Sequence, residues 1–116
     1  MRLYDSIDDA VDTLACARAA ARHPSLTYGE IPGSLNRLSS LLDTTAVLLL
    51  DLDHRLTHDA ASSRYQRATQ ERLTAAHEST HTTLRNLKSA RARLDITALA
   101  YSQTVHTDKL RNWHLA

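Results

Sequence analysis

Apolar residues recur along this chain at spacings of three and four, and no stretch shows the strict alternation of a half-buried strand. In the first segment Ile7, Ala10, Val11, Leu14, Ala17 and Ala21 share one face, which predicts a helix from about Ser6 to Arg22. Ser6 and Asp9 stand at capping-box spacing, and Asp5, Asp8, Asp9 and Asp12 crowd the end where the helix dipole favours anions. Pro24 ends the segment.

The second segment is the most apolar. Ser34 is the expected N-cap, and Leu35, Leu38, Leu42, Thr45, Leu49, Leu52 and Leu56 form its stripe, widened by Leu41 and Leu48. It is expected to end near His58–Ser62. The third starts near Ser63 and keeps helical register for about forty residues through Tyr65, Thr69, Leu73, Ala76, Thr80, Leu84, Leu87, Ala90, Leu94, Ala98, Tyr101 and Val105. A helix of that length spans ~60 Å. The threonine-rich stretch Ser79–Thr83 has poor helix propensity and is where a kink or break is expected.

The pattern predicts an all-α protein. Its expected form is an antiparallel helical bundle of three helices with a long C-terminal helix, or of four if the last one breaks, forming a single helical domain over 1–116. The third helix outruns the second, so Leu84, Leu87, Leu94, Ala98, Tyr101 and Val105 need further cover. A second copy of the chain is the commonest source of it, and these six residues are the expected interface of a homodimer.

Composition sharpens this picture. The chain has 116 residues, of which 42% are hydrophobic, enough for one domain with its own core. Both glycines and both prolines fall between Pro24 and Gly33. One cysteine, Cys16, excludes an internal disulfide and fits a reducing compartment. The acidic first dozen residues do not read as a signal peptide, and the longest apolar run, Ala46–Leu50, is far below the ~20 residues of a membrane span. A cytoplasmic location is therefore expected. Charge is uneven: residues 1–63 carry 5 basic and 9 acidic side chains, and residues 64–116 carry 9 and 4. Packing of complementary rims is the simpler reading. Phosphate contact through Arg85, Lys88, Arg91 and Arg93 is the alternative, which would make the protein a DNA-binding regulator.

Two histidine pairs carry candidate metal chemistry. His77-Glu78-Ser79-Thr80-His81 reads H-E-x-x-H and resembles the zincin metalloprotease motif over these five residues. There the two histidines bind zinc and the glutamate activates its water. No third ligand follows at a recognisable spacing, so the pair reads first as surface or rim histidines, with zinc at His77 and His81 as the alternative. His54 and His58 form a second such pair, expected to lie level with residues 64–68, two to three turns short of His77 and His81. Leu26-Thr27-Tyr28-Gly29-Glu30-Ile31 resembles, over six residues, the segment that opens some winged-helix DNA-binding domains. Cys16, between two alanines, reads as a packing residue, and Trp113 with Leu115 as a tail packed on the bundle end.

No catalytic constellation stands out. The expected function is that of a non-enzymatic helical interaction protein, a self-associating adaptor, regulator or assembly component. Its expected partner is a second copy or another protein. Nucleic acid is a weaker alternative, no membrane is involved, and no cofactor is required apart from the alternative zinc.

Overall fold

The computed structural model describes the backbone of residues 2–61 and 66–115 and the side chains of 2–59, 61 and 66–107. Three helices, α1 (Leu3–Ala21), α2 (Glu30–Ala60) and α3 (Arg67–Leu115), hold nearly all of it. Among the described residues there is no strand.

Helix α1 begins three residues earlier than Ser6. The Arg2 amide donates to Asp5 Oδ2 at 3.4 Å, so Asp5 rather than Asp9 reaches back over the first turn. Helix α2 begins four residues before Ser34. The Thr27 amide donates to Glu30 Oε2 at 2.8 Å and the Glu30 amide to the Thr27 carbonyl at 3.1 Å, closing the entry. Pro32 then lies in the first turn, where amides lack an intrahelical acceptor and a proline removes nothing. The Ser34 hydroxyl, instead of capping, donates to the Glu30 carbonyl at 2.7 Å.

Helix α3 runs through Ser79–Thr83 without a break, so no fourth helix forms there. The hydroxyls of Thr80, Thr82 and Thr83 donate to the carbonyls four residues back, which satisfies them within the helix. At about 1.5 Å per residue its 49 residues span ~74 Å, the 74 Å long axis of the molecule. The expected start near Ser63, with Tyr65, lies outside the described residues.

Helices α2 and α3 pack along their lengths, and among the described residues α1 packs on neither. Ser39 meets Asp95, Asp43 meets Arg91, and Asp53 meets His77. Rising numbers on α2 thus face falling numbers on α3. With 31 residues, α2 reaches farther along α3 than a helix starting at Ser34 would.

The result is a hairpin with little core. Ala98 is the one buried hydrophobic residue among those described, while fourteen large apolar side chains stand exposed. A compact chain of 12.9 kDa exposes about 6,300 Å². This one exposes 9477 Å². Its radius of gyration is 20.5 Å, against about 13 Å for a compact domain of this length.

Candidate functional site

The side chains between α2 and α3 are only in part those that the leucine stripe selects. The covered positions on α2 include Leu35, Ser39, Leu42, Ala46, Leu49, Asp53 and Leu56, again at alternating spacings of four and three. The helix is turned by a fraction of a turn from the expected stripe. Ser39, Ala46 and Asp53 come in, and Leu38, Thr45 and Leu52 go out.

Polar partners account for that rotation. Ser39 is buried, and its hydroxyl donates to Asp95 Oδ1 at 2.6 Å. Asp53 is 2% exposed and lies opposite the two histidines of the H-E-x-x-H motif. His77 Nδ1 stands 2.7 Å from Asp53 Oδ1, and His81 Nε2 stands 3.4 Å from Asp53 Oδ2. The Thr57 hydroxyl lies 3.2 Å from His77 Nδ1. The two imidazoles meet edge to face, with centroids 4.4 Å apart. A carboxylate this buried costs several kcal/mol unless donors or a cation compensate it. Here the ring nitrogens converge on it, and among the described residues no lysine or arginine pairs with it.

The third member of the motif's constellation therefore comes from α2, before the motif in sequence. One ligand atom from each of Asp53, His77 and His81 can be chosen so that all three lie within 4.8 Å of one another. Among the described residues this is the one group of three or more potential metal ligands that converges so. Glu78 does not join it. It is exposed and lines a shallow groove with Arg67, Glu71 and Thr74. His54 and His58 are exposed and outside the group. They are not level with residues 64–68, because α2 residues 53–57 face α3 residues 77–81. His77 and His81 thus stand at the rim of the seam, partly exposed and facing Asp53.

The expected interface residues also lie along this seam. Ala98 is buried, and Leu84, Leu87, Leu94 and Val105 are half-buried, on the stretch of α3 that α2 accompanies or just beyond it. Tyr101 is exposed. Helical register puts Leu41, Leu48 and Leu52 on one flank of the α2 seam, and Leu87, Leu94 and Tyr101 on the same flank of α3. The polar pairs Ser39–Asp95 and Asp43–Arg91 occupy the other flank. Helix α1 has no buried residue, and Leu3, Tyr4, Ile7, Val11 and Leu14 are all exposed.

In the basic stretch Arg91 pairs with Asp43 of α2 at 3.0 Å. Arg85, Lys88 and Arg93 are exposed. Leu26–Gly29 form a loop leading into α2, and among the described residues there is no strand that could make a wing. Cys16 is an exposed thiol on α1 rather than a packed residue. The side chains of Trp113 and Leu115 lie outside the described residues. No helix of the described residues is long and apolar enough to cross a membrane. Comparison with family models, curated proteins and solved structures finds no match to this chain.

Proposed function

We propose that this chain is a non-enzymatic helical protein that self-associates and acts through protein contact, as an adaptor, regulator or assembly component. The observation that carries the proposal is the uncovered apolar surface: fourteen large apolar side chains stand exposed among the described residues, and the chain exposes about 3,000 Å² more total surface than a compact one of its mass.

A second copy is the occupant because it carries, in α1, an uncovered apolar face to match the leucine flank. The α1 of one copy laid on the leucine flank of another would cover both apolar faces. The assembled form would then be an antiparallel bundle. Leu84, Leu87, Leu94, Ala98 and Val105 would form its floor, with Tyr101, Leu48 and Leu52 at its rim. Helix α1 would supply the cover that it does not give within its own chain.

Light scattering on the purified chain at micromolar concentration tests this. The expected mass is a multiple of 12.9 kDa. A monodisperse monomer of full helicity would refute self-association.

A further inference from the structure

We propose that Asp53, His77 and His81 form a binding site for one borderline divalent transition ion of the zinc class, held across the α2–α3 seam. Nothing in the self-association reading requires such a site.

The donor chemistry fits. Two imidazoles and one carboxylate form a ligand set for first-row divalent metals, whereas hard cations such as magnesium and calcium prefer oxygen alone. The geometry brings the donors within reach of one ion. His77 Nδ1 lies 2.7 Å from one oxygen of Asp53 and His81 Nε2 3.4 Å from the other, and one ligand atom from each residue lies within 4.8 Å of the other two. Ligand atoms around a tetrahedral ion with bonds of about 2.0–2.1 Å stand ~3.3 Å apart, so the three groups adjust by about an ångström or less to hold it.

The helices preset the arrangement. An i, i+4 pair on α3 fixes the two rings on one face, and the seam holds Asp53 opposite them. Each neutral ring would carry its proton on the nitrogen turned away from Asp53 and offer the near one to the metal. The ion would take over the compensation of a buried carboxylate that the ring N–H groups otherwise provide. The side chains of His77 and His81 are 35% and 50% exposed, so the ion can enter from solvent and keep a water on its open side. An ion so held would clamp α2 to α3.

The test is calorimetric titration of the full, untagged, chelator-treated chain with zinc, and with cobalt for its visible absorption. One ion per chain, bound with micromolar or tighter affinity, is expected, with a tetrahedral-type cobalt spectrum and a raised melting temperature. Asp53→Asn and His81→Gln should each weaken binding at least about a hundred-fold, the upper end for loss of even an outer-shell partner. His81 is half exposed, so its replacement leaves the hairpin intact, and circular dichroism verifies that for each variant. Glu78→Gln and the double variant His54→Ala/His58→Ala should bind as the parent does. Absence of binding at micromolar zinc would overturn the site. So would unchanged affinity in folded Asp53→Asn or His81→Gln, or loss of binding in the His54/His58 variant alone.

Discussion

The two flanks of the α2–α3 seam differ in chemistry and in what they demand of their surroundings. One flank carries Ser39–Asp95 and Asp43–Arg91, pairs that satisfy each other and tolerate water. The other carries Leu41, Leu48 and Leu52 beside Leu87, Leu94 and Tyr101, which nothing in the same chain fully covers. The hairpin is thus polar where it is self-sufficient and apolar where it is incomplete. An amphipathic stripe identifies which side of a helix is apolar. Which part of the stripe meets which neighbour is decided by a few polar contacts that have only one arrangement in which they pair.

Substitutions on each flank sharpen this contrast. The largest effect is expected from Leu87→Glu or Leu94→Glu, since each puts a charge into the half-buried seam itself. Losses of about 3 kcal/mol or more, measured by urea denaturation, should leave the chain largely unfolded. Wild-type stability would place these leucines outside the seam.

Next comes the double variant Leu38→Glu/Leu52→Glu, which touches only exposed positions of α2. It should lower the mass in light scattering to 12.9 kDa while far-UV circular dichroism retains the helices of the hairpin. An unchanged mass would mean that the outward leucines are not the contact surface. A smaller effect is expected within the polar set. Asp53→Ala removes the acceptor shared by His77 and His81, and without added metal should cost about 1–3 kcal/mol by denaturation. A gain in stability would show that its burial is uncompensated. The smallest is Asp43→Asn: both partners of this ion pair are about half exposed, so a loss below about 1 kcal/mol is expected, shrinking as salt is added.

Much of this architecture can be read from the residues. The periodicity of Ile7 to Ala21, the leucine run of α2 and the register from Leu73 to Val105 mark three helices and no strand. The entry of α2 had a legible signal in Thr27-x-x-Glu30, which outranks Ser34 because a proline in a first turn is harmless. The H-E-x-x-H spacing marks His77 and His81. Their partner was not legible, because Asp53 lies twenty-four residues before His77, on the neighbouring helix. Its pairing depends on the rotation and offset of two helices, and these follow from contacts across the seam rather than from spacing along the chain. The same rotation decides that Leu52 faces out and Ala46 faces in, a difference that hydropathy alone assigns the other way.

Self-association through the leucine flank is tested most directly by isotope-filtered NMR on a sample of refolded chains, half carrying ¹³C-labelled leucine and half unlabelled. Intermolecular contacts should appear from the Leu38, Leu48 and Leu52 methyl groups to protons of the unlabelled copy. Contacts confined within a chain, in a sample diffusing as a 12.9 kDa monomer, would contradict it.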